Sequence, residues 1–132
     1  MSSERYLIDT TIWVRYFGGD ESVEDRVKTL ILQDKILTTG IIILETLRGA
    51  RSQREYNQLY HDYKALPLLP LDSTVWEESY KTGFLLRKAG LVVPLADILI
   101  SALAICHGCP LLHRDKHFTL IAKHTKLKEE QI

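Results

Sequence analysis

Short apolar runs alternate with amphipathic helical patterns along this chain, and that alternation restricts its fold more than any other feature. Runs of strand length lie at residues 5–8, 35–39, 68–71 and 111–114, with a weaker one near the C-terminus. Alternating strand and helix units are typical of a sheet covered by helices. We therefore predict an α/β fold with a mostly parallel central sheet of four or five short strands flanked by helices.

The segments between these runs carry helix start signals. Residues 22–25, 52–55 and 74–77 each fit the capping-box pattern that opens a helix. A further helix is predicted over 94–106, and its almost continuous apolar sequence indicates burial on most sides. The helix after 74–77 places three aromatic side chains on one stripe: Trp76, Tyr80 and Phe84. Because no linker, repeat or low-complexity run is visible, residues 1–132 are expected to form a single domain.

Charge and hydropathy exclude several classes of protein. The chain has 17 basic and 17 acidic residues, a balance that excludes a strongly basic nucleic-acid coat. Its longest uncharged stretch, 98–112, is too short to span a bilayer, and residues 1–5 do not resemble a secretory signal. A cytoplasmic protein with no membrane partner is therefore expected. Cys106 and Cys109 are predicted to be buried structural thiols.

Four acids stand in apolar surroundings, where an ionised carboxylate is unfavourable unless it is paired or bound to a cation. They are Asp9, Glu45, Asp97 and Asp115. Asp9 and Asp115 fall where predicted strands end, and parallel strands deliver such residues to the same edge of a sheet. Asp97 is expected to join them from the first turn of its helix, and Glu45 from the early part of another.

Each acid also has a structural interpretation. Asp9 fits a helix cap, Asp97 favours a helix N-terminus, and Asp115 suits a turn. Glu45 has only Arg48, three residues later, as an obvious partner. One shared site explains the four acids together better than four separate roles do. Carboxylates that converge on one site repel one another unless a cation lies between them. Such oxygen ligands suit Mg²⁺ or Mn²⁺.

The segments around the acids form an ordered set. They read LIDTT at 7–11, ILETLRG at 43–49, PLADILI at 94–100 and LLHRDKHF at 111–118. In this order, and over nearly the whole chain, they resemble PIN-domain ribonucleases, and most of all the VapC-type toxins of toxin–antitoxin pairs. The sequence departs from the commonest family pattern at His113, where Thr or Ser is more usual, and at His117, where an acid often stands.

The resemblance implies a function and a site. Mg²⁺ or Mn²⁺ would be bound by the residues that also carry catalysis: Asp9, Glu45, Asp97 and Asp115. The implied reaction is hydrolysis of RNA phosphodiesters that leaves a 5′-phosphate and a 3′-hydroxyl, with water as the nucleophile. The implied partners are an RNA substrate, a second copy of the chain in a homodimer, and a cognate VapB-like antitoxin that neutralises the toxin.

Other candidate site residues surround the acids. Thr11 and His113 are candidates to orient substrate or support the metal ligands, with a helix-capping hydroxyl and a structural histidine as alternatives. His117 is expected to be structural. Candidate contacts to RNA phosphates, with a solvated basic face as the alternative, are Arg48, Arg51, Arg114 and Lys116.

The alternative to an enzyme is a catalytically inactive PIN-like or doubly wound α/β binding or regulatory module. The order of strands and helices allows such a module but does not explain the acids. A receiver domain would need clustered acids after its first strand, and Asp72 resembles a helix cap rather than a phosphoacceptor. A haloacid-dehalogenase-like phosphatase would need a second Asp two residues after Asp9, where Thr11 stands.

Overall fold

A computed structural model describes residues 4–132. The elements in chain order are β1 (Tyr6–Ile8), α1 (Thr10–Phe17), α2 (Glu21–Leu32), β2 (Ile36–Thr39), α3 (Gly40–Leu47), α4 (Gln53–Lys64), β3 (Leu68–Leu69), α5 (Ser73–Lys88), α6 (Leu95–His107), β4 (Leu111–His113), α7 (Lys116–Ala122) and β5 (Glu129–Gln131). The expectation that residues 1–5 hold no secretory signal falls partly on residues 1–3, which lie outside the described residues. No helix within 4–132 has the length and apolar character needed to cross a membrane.

The five strands form one parallel sheet in the order β3-β2-β1-β4-β5. At its centre, Leu7 of β1 pairs with Leu37 of β2 and with Leu111 of β4. Central strands of parallel sheets are covered on both faces, which is why the apolar runs at β1 and β4 are buried. The predicted α/β fold with a short-stranded parallel sheet is confirmed, and each of the first four strands lies within its predicted run.

The strand order reverses between β1 and β4. The chain passes from β1 to β2 and β3 on one side of β1, then crosses to β4 and β5 on the other. Because connections between parallel strands are almost always right-handed, α1–α4 are expected on one face of the sheet and α5–α7 on the opposite face. In accordance with this, α1 packs against α2 and α3, whereas α6 packs against α5 and α7. A ligand crevice is expected beyond the carboxyl ends of β1 and β4, where the order reverses.

Two of the three predicted helix starts are displaced. Ser52 caps α4 as predicted, through its hydroxyl oxygen. α2 and α5 are capped instead by Asp20 and Asp72, whose carboxylates accept first-turn backbone N–H groups at 2.9 and 3.1 Å. The starts predicted at Ser22 and Thr74 are therefore wrong, because a carboxylate two residues earlier takes the cap position. The interpretation of Asp72 as a cap is confirmed.

One further expectation about burial fails on the side of α5 and α6. Cys109 is buried, but Cys106 in the last turn of α6 is exposed, so the prediction of two buried thiols is wrong for Cys106. The aromatic stripe of α5 faces solvent, with Trp76, Tyr80 and Phe84 exposed by 40%, 61% and 67%. Helical periodicity identifies such a stripe correctly but does not say whether the rest of the chain covers it.

Candidate active site at the carboxyl edge of the sheet

Asp9 lies at the point where β1 ends and α1 begins. Its backbone N–H donates to the carbonyl of Leu112 at 2.9 Å, which holds it beside β4. Its Oδ2 accepts hydrogen bonds from the backbone N–H of Thr11 at 3.0 Å and from the Thr11 hydroxyl at 2.6 Å. Asp9 thus caps α1, as one interpretation predicted. Burial raises the pKa of its carboxyl group, although the Thr11 hydrogen bonds oppose that shift.

Thr11 connects the two central strands at this edge. While its hydroxyl donates to Asp9, the same oxygen accepts the backbone N–H of Arg114 at 3.0 Å, just beyond β4. The hydroxyl therefore fixes both a carboxylate and the neighbouring backbone. The alternative in which the Thr11 hydroxyl caps the helix is not observed. Asp9 is the cap of α1, and Thr11 donates a hydrogen bond to it.

Glu45 reaches the site from the second turn of α3. Its Oε1 accepts a hydrogen bond from the Thr10 hydroxyl at 2.9 Å. Thr10 is the first residue of α1, so this bond joins two helices that begin at the same edge of the sheet. The result is a half-buried carboxylate held toward the end of β1.

Asp97 and Asp115 lie at the starts of α6 and α7. Asp97 lies in the first turn of α6 and is 8% exposed, whereas Asp115 caps α7 through the backbone N–H of His117 at 2.9 Å. Between the two carboxylates stands the His117 ring, whose Nδ1 is 3.2 Å from Asp97 Oδ2 and 3.3 Å from Asp115 Oδ1. These three side chains offer ligand atoms that all lie within 4.8 Å of one another.

The electrostatics of Asp97 reflect this crowding. Burial raises its pKa to about 6, and the negative charges of Asp115 and Asp9 add to the shift. The His117 contact opposes it. Asp97 is therefore a carboxylate whose ionised form is disfavoured until a positive charge is placed near it.

All four predicted acids line one cavity of about 610 Å³. Its wall also includes Thr10, Thr11, Val14, Arg15, Gly18, Asp20 and Arg114. The cavity lies beyond the carboxyl ends of β1 and β4, where the strand order reverses, so the sheet positions Asp9 and Asp115 and the flanking helices deliver Glu45 and Asp97.

His113 lies behind this cavity and is fully buried. Its Nδ1 accepts the backbone N–H of Asp115 at 3.1 Å, so the ring proton is on Nε2, which donates to Glu129 Oε1 at 2.8 Å. Both ring nitrogens are thus occupied by protein groups. His113 is placed to support the backbone of Asp115 and has no nitrogen left to orient substrate.

The four candidate phosphate contacts have different surroundings. Arg114 lines the acidic cavity, but its guanidinium donates to Ser22 and to the backbone carbonyl of Ile132. Arg51 lines a second cavity of about 800 Å³. Lys116 and Arg48 are exposed and line neither cavity.

The second cavity continues from the first, because both are lined by Val14, Gly18 and Glu45. It extends along α3 and α4 and adds Arg51 and Arg54 to the wall. The acids of the first cavity therefore lie next to a second cavity whose wall carries two arginines.

Two residues at the site were not expected from the sequence. His117 was predicted to be structural, yet its ring lies between two of the acids. Thr10 was not singled out, although it holds Glu45. The departure from the family pattern at position 117 was a sequence signal that could have indicated a role for His117. No feature of the sequence distinguished Thr10 as a partner of Glu45.

The donor set fits a divalent cation. Carboxylate oxygens are the preferred ligands of Mg²⁺ and Mn²⁺, and four carboxylates line this cavity. Burial raises the pKa of Asp97, and the negative charges of Asp115 and Asp9 raise it further, as expected of acids gathered in one place. The residues present are thus those that a cation site would need.

Residues 6–124 match the family model of the PIN domain. Since the match covers most of the chain, the chain belongs to the PIN-domain family. Two similar curated relatives are VapC ribonuclease Mb1587 of Mycobacterium bovis and ribonuclease VapC11 of Mycobacterium tuberculosis. Each is 34% identical over 130 residues, covering 92% of this chain and 95% of its own. This identity and coverage place the chain among the VapC proteins of that family.

Solved structures share the fold at low sequence identity. One is the complex VapBC2 from Rickettsia felis bound to a DNA fragment of its promoter, with a TM-score of 0.81 at 17% identity over 96% of this chain and 98% of that one. Another is Mycobacterium tuberculosis VapC20, described as a Sarcin-Ricin loop cleaving toxin, with a TM-score of 0.69 at 14% identity over 93% and 98%. These similarities agree with the parallel sheet and helix order seen here.

Proposed function

We propose that this chain is a divalent-metal-dependent endoribonuclease that acts as the toxin of a toxin–antitoxin pair. The observation that carries the proposal is the convergence of four carboxylates on one cavity in a chain of the VapC group. The names of the relatives supply the reaction class, ribonuclease. Residues 1–132 would form one nuclease domain, acting in the cytoplasm, where its RNA would be found.

The residues that would hold Mg²⁺ or Mn²⁺ are Asp9, Glu45, Asp97 and Asp115. When bound, such a cation polarises the phosphoryl oxygen and lowers the pKa of an attacking water. The protein itself holds the ligands in position. Thr11 and Thr10 keep two of the carboxylates in place through their hydroxyls, so these ligands would not need to be ordered during the reaction.

The RNA strand would pass along the two neighbouring cavities. Arg51 and Arg54 line the second cavity, where they would pair with phosphates flanking the scissile bond. Arg114 stands at the acidic end, although its contacts to Ser22 and Ile132 would limit its reach. Arg48 and Lys116, which are exposed outside the cavities, would serve only a longer RNA.

The test of the reaction is RNA cleavage by the purified protein with and without EDTA. Asp9→Asn and Asp97→Asn are expected to lower cleavage by at least about 10²-fold, because each removes a charge from the metal site. Asp25→Asn, an exposed acid of α2, is the matched control and should cleave normally. Cleavage that persists in EDTA and in both site variants would contradict the mechanism. Metal binding without cleavage of any RNA would favour the inactive-module alternative.

The partners are proposed on separate grounds. Several structures of similar fold are VapBC complexes, which supports a VapB-like antitoxin as partner. A homodimer would cover the exposed aromatic stripe of α5, of which Phe84 is the most exposed member. Light scattering after size exclusion should show a dimer for the wild type and a monomer for Phe84→Glu. A monomeric wild type would contradict the dimer.

A further inference from the structure

We propose that His117 is a nitrogen ligand of the cation at this site and that it shifts the preference of the site from Mg²⁺ toward Mn²⁺. The inference rests on the proposed metal-dependent function and adds a ligand that the four acids do not supply. It also gives a role to one of the two positions at which the chain departs from the commonest pattern of its family.

The position of the ring is determined by the start of α7. The backbone N–H of His117 donates to Asp115 Oδ1 at 2.9 Å, which fixes the residue in the first helical turn. From there Nδ1 reaches Asp97 Oδ2 at 3.2 Å and Asp115 Oδ1 at 3.3 Å. The same nitrogen therefore faces one carboxylate from α6 and another from the end of β4.

Such a position needs a positive partner. A lone pair on Nδ1 would repel both carboxylate oxygens, so either a proton or a cation must lie between the nitrogen and these oxygens. In the metal-free protein a proton on Nδ1 meets that need. A cation bound between these oxygens would take the same position, and a neutral ring with its proton on Nε2 would present the Nδ1 lone pair to that ion. The mutual separation of the three ligand atoms, within 4.8 Å, is consistent with one shared ion.

The chemistry of the ligands then determines the choice of metal. Mg²⁺ strongly prefers oxygen ligands, whereas imidazole nitrogen is a better ligand for transition metals. A site of carboxylates alone suits Mg²⁺ and Mn²⁺, but replacing an oxygen ligand by imidazole favours the transition metal. His117 is thus inferred to determine metal preference, while the acids determine that a cation binds.

The direct test is pulsed electron paramagnetic resonance of the full-length protein loaded with MnCl₂. A ligating histidine gives a ¹⁴N hyperfine coupling, which changes to a ¹⁵N pattern in protein labelled with ¹⁵N-histidine. We expect the coupling in the wild type, its loss in His117→Asn, and its retention in His124→Asn, an exposed histidine beyond α7. Circular dichroism would establish that both variants are folded.

Competition between MnCl₂ and MgCl₂ gives a second readout that needs no cleavage assay. The ratio of the Mg²⁺ to the Mn²⁺ dissociation constant should fall by about tenfold in His117→Asn and in His117→Asp, since both replace nitrogen by oxygen. A merely structural role for His117 would weaken both metals alike.

The outcomes separate this inference from the proposed function. If Mn²⁺ binds to the wild type and is lost in Asp97→Asn, but no nitrogen coupling is seen, the ligand role of His117 is overturned and the metal site stands. A coupling that survives in His117→Asn also overturns it. If Mn²⁺ does not bind to the wild type, the proposed metal dependence fails together with this inference.

Discussion

The two halves of the acidic cavity hold their carboxylates in different ways. On the side of α1 and α3, Asp9 and Glu45 accept hydrogen bonds from neutral threonine hydroxyls. On the side of α6 and α7, Asp97 and Asp115 share one imidazole nitrogen. The first pair is thus held by two separate hydroxyl groups, whereas the members of the second pair contact the same ring atom. The difference teaches that, for the proposed cation, the threonine side would hold its ligands in place in advance, whereas the histidine side would be completed by the ion.

The largest expected effect is on the histidine side and concerns pH. The pKa of Asp97 is about 6 in the folded protein and 3.8 as the ordinary value, so between these pH values the folded state binds more protons than the unfolded chain. Stability of the metal-free protein should therefore fall as pH rises through this window, by about 2–3 kcal/mol for this group, and level off above it. Urea unfolding in EDTA from pH 4 to pH 7 would measure it.

Asp97→Asn is the control for that prediction. The variant lacks the titrating group, so its stability should decline less over the same window and exceed that of the wild type near pH 7. Saturating MnCl₂ at pH 7 should stabilise the wild type and not the variant. An identical pH dependence in the two proteins would show that Asp97 is not the group responsible.

A smaller effect is expected on the threonine side. Thr11→Val keeps the shape of the side chain but removes the hydroxyl that donates to Asp9 and accepts from the backbone of Arg114. Because a donor and an acceptor lose their partner together, we expect a loss of about 1–2 kcal/mol, measured by urea unfolding at pH 7. Thr11→Ser, which retains the hydroxyl, should recover most of it. A Thr11→Val protein as stable as the wild type would remove the basis for the comparison on this side.

The smallest effect is expected from Thr10→Val. Its hydroxyl bonds only the half-buried Glu45, so stability should fall by about 0.5–1 kcal/mol. Cleavage should fall more clearly than stability, because Glu45 would lose the contact that orients it. Thr29→Val, which removes the hydroxyl of an exposed residue of α2, is a control that should leave cleavage unchanged. Equal cleavage by Thr10→Val and wild type would show that Glu45 needs no such support.

The parts of the fold that sequence predicted well are those in which one local signal dominates. Short apolar runs predicted the strands, because a parallel strand buried on both faces needs apolar residues at every position. Helix starts were less certain. Asp20 and Ser22 can both cap α2, and in the structure the Asp20 carboxylate accepts the backbone N–H of Ser22, so Ser22 lies inside the helix.

Within the site, too, sequence predicted some features and not others. Sequence predicted that Asp9, Glu45, Asp97 and Asp115 belong together, because ionised groups in apolar surroundings require a partner and the strand ends share an edge. Sequence did not show what lies between them. The position of the His117 ring depends on how α6 and α7 approach each other over β4, which no spacing along the chain expresses.

Sequence by itself therefore determined the class of fold, the order of the strands' apolar runs and the identity of the four acids, since each depends on local hydrophobicity and on the unfavourable burial of charge. Only the tertiary structure decided that two carboxylates are held by threonines and two by a histidine, that His113 is committed to Asp115 and Glu129, and that the aromatic stripe of α5 faces solvent. These depend on distances between residues far apart in the chain, which packing sets and periodicity does not.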